Sequence, residues 1–553
     1  MIQPFTVSAS ARRPADVLDA LALHRAAVEA EALPPNIGAL FDAAVARYAD
    51  RPLWVPVDGG ATLTYAGFAA EVGRCTAALH GLGVRRGTHV GLMLPSVPAL
   101  AITWIALAKL GAVMLPINTR YTARELDHVL REGEVALLVI DQAHRALLEA
   151  REDGSIPPLP RDRIVVHGGA TGGRAGEWHA LLAAAGPVPT LPAIEPDELM
   201  TLQFTSGSTG APKGCMLTHR YWVTIGRIRS IQGPPVERML IDMPFHYMGG
   251  QWRFLMALYL GATAFVAGQQ SLARLLDRLI THRIQFCSVT PALAKQDPDP
   301  RRGDLALTWA GTMALPRDLH APLEARLNDA PVREMYGLTE TGAALAMPVA
   351  VDWMVGSGAC GLSVPFRDLR IVDSDGQDTP SGEIGELWIA GAGVMQGYYR
   401  NDAANADAFR GKWFRTGDLF RRDAYGFYTV LGRIKDVIRR SGENVSAIEV
   451  ESVLCTMPAI VEAAAIPVPD ALRGEEVKVC LTLRPGLSPG DLPPAEILAF
   501  CRDRLARFKL PRYIAYLPEL PKTPSGKIAK QQLRPPGADL RLDCFDAADG
   551  VWR

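Results

Sequence analysis

The sequence predicts an α/β protein: a large N-terminal domain of helix-covered, mostly parallel sheets containing a small β-rich subdomain, followed by a compact α+β C-terminal domain. Three observations predict it. From about residue 37 to 290, apolar runs of strand length alternate with helical segments, the pattern of βα crossovers. From Leu369 to Ala390 the rhythm changes to short strands broken at Asp375-Gly376 and Ser381-Gly382. After Gly432 a fresh helix start is followed by two strands and another helix, a unit of ordinary domain size. A chain of 553 residues is also too long for one core. The expected divisions are 1–432, with the β-rich part at about 360–430, then 433–533, and a loosely ordered tail at 534–553.

Each element has a local reason. An irregular lead-in carries one helix, Ala15 to Ala32. Thr64 caps a helix whose apolar face is Phe68, Val72, Cys75 and Leu79, and the strand His89 to Leu94 follows. Val97 to Leu115 is apolar except for Thr103 and Lys109, which mimics a membrane span. Its internal Gly111 and flanking Pro98 and Pro116 instead divide it into a buried helix, Pro98 to Leu110, and a buried strand, Ala112 to Leu115. Thr122 and Glu125 form a capping box, and Ala136 to Ile140 is the next strand. Residues 151–196, rich in Gly, Pro and Ala, read as a surface excursion. The rhythm resumes with strand Glu198 to Phe204, a helix capped by Thr218, strand Met239 to Met243, helix Gln251 to Tyr259, strand Ala262 to Val266, helix Leu272 to His282 and strand Phe286 to Val289. Past Gly432, Ser446 and Glu449 make a second capping box, strands span Val461 to Ile466 and Val477 to Leu483, and a helix runs from about Ala495 to Phe508.

Composition narrows the function. Lys plus Arg is 58 and Asp plus Glu 59, a formal net charge of -1, so no broad basic surface and no nucleic-acid partner is expected. The eight cysteines contain no Cys-x-x-Cys pair, which argues against a zinc site or a disulfide framework and fits a reduced, cytoplasmic setting. Neither a signal peptide nor an integral membrane segment is expected.

The chemistry centres on Thr205-Ser206-Gly207-Ser208-Thr209-Gly210-Ala211-Pro212-Lys213-Gly214. Hydroxyls, glycines and one lysine between regular elements offer backbone N–H groups and a positive charge to a phosphate. The run lacks the consecutive Gly-Lys-Ser/Thr of the common P-loop. It resembles the phosphate-binding signature of the adenylate-forming superfamily, which includes acyl-CoA synthetases, aryl-CoA ligases, peptide-synthetase adenylation domains and beetle luciferase. Further stretches resemble that superfamily in the same order, over about Ile37 to Leu533.

The resemblance implies a role for each stretch. Pro244-Phe245-His246-Tyr247-Met248-Gly249-Gly250 resembles the segment lining the acyl pocket, to which Gly342 and its neighbours also contribute. Gly311-Thr312-Met313-Ala314 is similar to the segment packing on adenine, with Tyr336 of Glu334-Met335-Tyr336-Gly337-Leu338-Thr339-Glu340-Thr341 on the other side of the ring. Thr339 resembles the α-phosphate contact and Glu340 the Mg²⁺ carboxylate, a hard oxygen ligand of the kind Mg²⁺ prefers. Asp418, in Trp413-Phe414-Arg415-Thr416-Gly417-Asp418, resembles the acceptor for the ribose hydroxyls, and Arg433 a ribose and phosphate contact. Lys435 falls at the superfamily's hinge, about which the C-terminal domain is mobile. Ser441-Gly442-Glu443 resembles the loop meeting the pantetheine arm of CoA. Lys527, in Pro521-Lys522-Thr523-Pro524-Ser525-Gly526-Lys527, matches the catalytic lysine.

The implied activity is an AMP-forming acyl-CoA synthetase. It consumes a small-molecule carboxylic acid, ATP and CoA, needs Mg²⁺, and is most similar to ligases of small and medium acids, including the carnitine and crotonobetaine group. The rival reading is a free-standing adenylating enzyme that loads a carrier protein, although the chain contains no carrier domain of its own. A nucleotide sensor without turnover is disfavoured by the intact Lys527, Glu340 and Asp418.

Overall fold

The computed structural model describes residues 13–148, 159–168, 177–205, 212–313, 315–441, 443–523 and 527–553, and the backbone alone of Asn444. Ser206, Gly207, Ser208, Thr209, Gly210 and Gly442 lie outside the described residues.

Two sheets form the N-terminal part. One runs in the order 164–167, 137–141, 89–93, 113–116, 199–205, 213–218, parallel throughout except for its last pair. The second, nine strands long among the described residues, has a parallel centre of 332–338, 309–312, 286–288, 238–241, 263–266 and 52–56, with antiparallel strands at both ends. Helices Pro98–Leu110, His219–Ser230 and Met248–Leu260 pack among them, and a single apolar cluster spans both sheets, with Trp54, Trp104 and Trp222 fully buried.

The membrane-like stretch divides as its glycine requires. The helix Pro98–Leu110 ends at Gly111, whose φ of 68° is left-handed, and the strand Val113–Pro116 follows. No described helix is long and apolar enough to cross a membrane. Thr64, Thr122 and Thr218 each accept a backbone N–H at the helix starts expected of them, and Glu125 completes the first capping box.

A five-stranded antiparallel sheet of 368–372, 384–390, 413–422, 409–410 and 428–433 follows. A last sheet contains 437–440, 443–446, 460–470, 474–483 and 513–516, packed on helices Ala447–Cys455 and Pro494–Arg502.

Five expectations need correction. The excursion at 151–196 carries a sheet strand, Ile164–His167, and a helix, Glu177–Ala183. Cys215 to Leu217, expected only as a short apolar step between the glycine-rich run and the Thr218 cap, belongs to a full strand, Lys213–Thr218, antiparallel to Leu199–Thr205, so the run joins the two strands of a hairpin. Only half of the second capping box forms: Ser446 accepts from the Glu449 N–H, but the Glu449 carboxylate pairs with Lys509 at 2.7 Å. The helix expected to reach Phe508 ends at Arg502, because Ala506 turns extended (ψ 148°) into a short 3-10 turn, Arg507–Lys509. The tail is not loose. Phe545–Asp546 and Val551–Trp552 extend the last sheet from Tyr513–Tyr516, and fully buried Asp546 pairs with Arg512 at 3.2 Å and Arg553 at 2.9 Å. Ionic anchoring of this kind leaves no hydrophobic periodicity to read.

Candidate active site

The expected site residues converge where the ends of the N-terminal strands meet the antiparallel sheet. Strand Trp413–Arg422 carries Asp418 opposite Arg433 on the next strand. The Tyr336 hydroxyl donates to Asp418 Oδ2 at 2.6 Å. Arg433 Nε lies 3.0 Å from Oδ1, yet among the described residues no donor is aligned on that oxygen, so a buried acceptor is left to be filled. Burial raises the Asp418 pKa, opposed first by Arg433, then by the Tyr336 hydrogen bond and by the Lys527 ammonium. Lys527 comes from the C-terminal unit, where its backbone exchanges hydrogen bonds with Thr523.

The stretch of strand just before Asp418 is held by a residue the sequence reading missed, Glu386. Glu386 accepts the Gly417 N–H at 3.0 Å with one oxygen, and Trp388 Nε1 and Arg415 with the other. Thr416 donates its hydroxyl to Leu387 and accepts the Asp418 N–H. Leu387 and Ile389 enter the apolar core while Glu386 takes the opposite face, so the strand pattern alone did not single it out.

A second group surrounds the phosphate candidates. Glu340 Oε1 accepts from the Tyr398 hydroxyl at 3.0 Å, leaving Oε2 without a hydrogen-bond partner among the described residues. The Tyr398 ring also lies under Lys213 Nζ, 5.1 Å from its centroid, and Tyr398 bridges to Cys215. Tyr398 thus ties the end of the glycine-rich hairpin to Glu340, a link that no sequence periodicity signals. At the near end of the hairpin, Thr205 opposes Lys213 in the ladder. The Thr339 carbonyl accepts from the Tyr221 hydroxyl at 2.9 Å, which fixes the backbone beside Glu340. A Cβ on Gly337 would meet the Gly342 carbonyl oxygen at 2.2 Å, so this approach admits only glycine. Glu340 is one carboxylate, and no described cluster of three His, Cys, Asp or Glu could hold a metal. That donor set fits a Mg²⁺ arriving on a nucleotide rather than a resident ion.

The acyl-side residues sit at the start of helix Met248–Leu260. His246 is buried, its carbonyl accepts from Gln203 Nε2 at 3.0 Å, and its ring lies 4.6 Å from that of Tyr247. Burial chiefly, with Arg120 adding, lowers its pKa to about 4, so the imidazole is neutral at neutral pH. Tyr247 accepts from Asn118 at 2.9 Å, and Met248 Sδ lies 3.3 Å from the Tyr221 hydroxyl. Gly249 gives its carbonyl to Arg253.

Gly311 meets Met335, whose Cε lies 2.4 Å from where a Cβ would stand. The Thr312 hydroxyl is spent on the Val289 carbonyl, so only its backbone remains for a ligand. Met313 is exposed. Tyr336 packs edge-on against Phe420.

The remaining candidates lie in the C-terminal unit. Lys435 is in a single 3-10 turn, Ile434–Asp436, between the two units. Ser441, with a left-handed φ of 54°, and Glu443 flank a tight hairpin of the last sheet, and both are exposed. Among the described residues neither bonds to the N-terminal part. Lys527, not this hairpin, is what the C-terminal unit presents to Asp418.

The residue pattern of the AMP-binding enzymes matches positions 41–399, and that of the AMP-binding enzyme C-terminal domain matches 449–527. The chain belongs to the AMP-binding enzyme family. Within the family it is 32% identical over 487 residues to a feruloyl-CoA synthase of Amycolatopsis, covering 86% of this chain and 94% of the relative. It is 29% identical to the sulfoacetate–CoA ligase of Cupriavidus necator, covering 90% and 97%. An anthranilate CoA ligase in complex with anthranoyl-AMP superposes with a TM-score of 0.83 at 25% identity, covering 92% of this chain and 98% of that one. ATP-bound MatB from Rhodopseudomonas palustris gives 0.79 at 27% identity, with 90% and 98% covered.

Proposed function

We propose that this AMP-forming acyl-CoA ligase runs two half-reactions at one site, with the roles divided as follows. In the first, an oxygen of the acid's carboxylate attacks the α-phosphorus of ATP and the bond to the β-phosphate oxygen breaks. This gives an acyl adenylate and pyrophosphate. Both reactants are anions, so the work is charge neutralisation and in-line positioning. No general base is required, because a carboxylic acid is already ionised near pH 7. Lys527 and Lys213 approach the phosphates, with the Thr205–Gly214 run around the β- and γ-phosphates. At about 4 Å and an effective dielectric near 20, each cation contributes roughly 4 kcal/mol against the repulsion. Mg²⁺ at Glu340, when bound, supplies further charge neutralisation at the phosphate oxygens.

Asp418 receives the ribose hydroxyls on its unfilled Oδ1, beside Arg433. Tyr336 and the Gly311–Met313 backbone flank the base. Neutral His246 lies where the acid enters and offers a hydrogen bond without adding charge.

In the second half-reaction the thiol sulfur of CoA attacks the acyl carbon, the thiol proton is lost, and AMP leaves with the anhydride oxygen. Rotation about Lys435 brings Ser441–Glu443 to the site in place of Lys527.

The observation that carries this reading is the Asp418 carboxyl. Tyr336, Arg433 and Lys527, from three separated stretches and both parts of the chain, act on it together. The test is acid-dependent ATP–pyrophosphate exchange over a broad panel of aliphatic, aromatic and dicarboxylic acids, followed by thioester formation with CoA. Exchange with at least one acid and a CoA thioester are expected. Exchange followed by transfer only to a pantetheinylated carrier protein would overturn the acceptor. Absence of exchange across the panel would overturn the reading.

A further inference from the structure

Arg229 and Arg253 are 5% and 4% exposed, and the nucleotide mechanism uses neither. Both guanidiniums pack on Trp252, with their central carbons 4.8 Å and 4.3 Å from its ring centre. Arg253 is one helical turn beyond Gly249 and donates to its carbonyl at 2.6 Å. It also donates to the Ser288 hydroxyl. Ser288 Oγ and Met335 both face the missing side chain of Gly311. Arg229 directs Nη1 to Gln232 at 2.9 Å and contacts Met335 Sδ. The pair therefore sits behind the three stretches that define the acyl and adenine sides of the site.

Neither guanidinium is neutralised. Among the described residues neither forms an ion pair, and Nε of each has no acceptor. The one acid acting on Arg253 is Asp242. It lies beyond ion-pair distance, and its own buried Oδ1 has no donor. Arg229 feels two like charges, Arg253 and Arg367, and no carboxylate. Burial brings the pKa of Arg229 down to about 9 and that of Arg253 to about 10, so both remain cationic at neutral pH. Two buried cations beside one carboxyl that pairs with neither is an arrangement costing several kcal/mol unless an anion completes it. The planar guanidinium fork matches a carboxylate or sulfonate.

We propose that the acid activated here carries a second anionic group, carboxylate or sulfonate, which docks between Arg229 and Arg253 while its first carboxylate reacts. The inference rests on the ligase reading above. An apolar acid tail would leave both guanidiniums uncompensated, so the pocket discriminates by desolvation as well as by attraction.

The test compares matched acids in the exchange assay. Malonate, succinate and glutarate are paired with 3-methylbutanoate, 4-methylpentanoate and 5-methylhexanoate, in which an isopropyl group replaces the second carboxylate. Sulfoacetate and 3-sulfopropanoate form the sulfonate arm. For at least one pair, or for a sulfonate against the monoacid of its length, the dianion is expected to have a kcat/KM about tenfold or more higher. The same dianion should raise the thermal midpoint of the wild-type protein. Arg253→Met and Arg229→Met should each lower the dianion-to-monoacid ratio by about tenfold. If those variants fail to fold, Arg229→Lys and Arg253→Lys, which keep charge but lose the fork, should lower the ratio less, and the wild-type comparison still decides. Turnover of monoacids with no dianion preference would overturn this inference and leave the ligase reading standing. Loss of exchange with every acid would fall on the ligase reading instead.

Discussion

Asp418 presents two unlike oxygens, one filled by the Tyr336 hydroxyl and one without an aligned donor. Lys527 acts at the same carboxyl, yet it belongs to the part of the chain expected to withdraw before thioester formation. Lys527→Ala should therefore reduce adenylate formation by about 100-fold or more, the scale of losing a preorganised transition-state charge. Thioester formation from supplied acyl adenylate should stay near wild type, and equal loss in both assays would refute the role. Tyr398 acts one shell further out. Tyr398→Phe removes the hydrogen bond orienting Glu340 while keeping the ring under Lys213. The expected result is an apparent Mg²⁺ requirement raised about tenfold with little change in KM for the acid. A change confined to acid affinity would show that Tyr398 serves the pocket. The motif made Lys527 a candidate in the sequence, whereas nothing there pointed to Tyr398. It lies 58 residues from Glu340, in a Tyr-Tyr pair between irregular turns, and only tertiary folding makes it a neighbour.

Helix starts were read well because a cap is a local bond: Thr64, Thr122 and Thr218 each needed a donor three residues on. The glycine-rich run was recognised, but its setting was misjudged. Six residues of Lys213–Thr218 pair with Leu199–Thr205, and no two-residue turn signal marks such a wide hairpin. The tail was misread for a different reason. Its strands are two residues each, and its anchor is an ion cluster around Asp546. Removing residues 534–553 strips Asp546 from Arg512 and uncovers the edge at Tyr513–Tyr516. The truncated chain should lose about 2–4 kcal/mol from the C-terminal unit, chiefly because buried Lys478 loses the Leu540 and Leu542 carbonyls it donates to, while Arg512 keeps Asp470. Limited proteolysis would show cleavage beginning there, and an unchanged pattern would mean the strands are ornamental.

Protonation of the cores reaches both halves of the N-terminal part. Burial lowers His219 and His246 to about 4, against an ordinary value of 6.5. Their folded forms hold the proton less tightly than the unfolded chain does. The associated stability is complete above pH 6.5 and is lost as pH falls towards 4. Between pH 6.5 and 5 the loss should be about 2 kcal/mol per histidine, visible as a falling urea midpoint. The adenylation rate should show no inflection at 6.5 from His246; such an inflection would mean the ring titrates at the working site. The arrangement of layers was legible because βα alternation leaves few topologies. The convergence of buried arginines behind the pocket was not, since Arg229 and Arg253 read simply as polar interruptions of two helices.

The contact between the two parts of the chain also has a kinetic meaning. Lys295 donates to the Ile460 carbonyl at 2.7 Å, and Arg484 donates back to the Lys295 carbonyl at 3.2 Å. On the proposed rotation about Lys435, these two bonds lie on the seam that opens. In that proposed cycle they would act as an escapement: a closed seam keeps the adenylate committed, and each opening admits one thiol. Loosening the seam would shorten the dwell of the intermediate and spill adenylate to water; tightening it would stall the cycle with AMP still aboard. On that reading the fidelity of the ligase is set partly at Lys295, a residue outside the proposed nucleotide and acid sites.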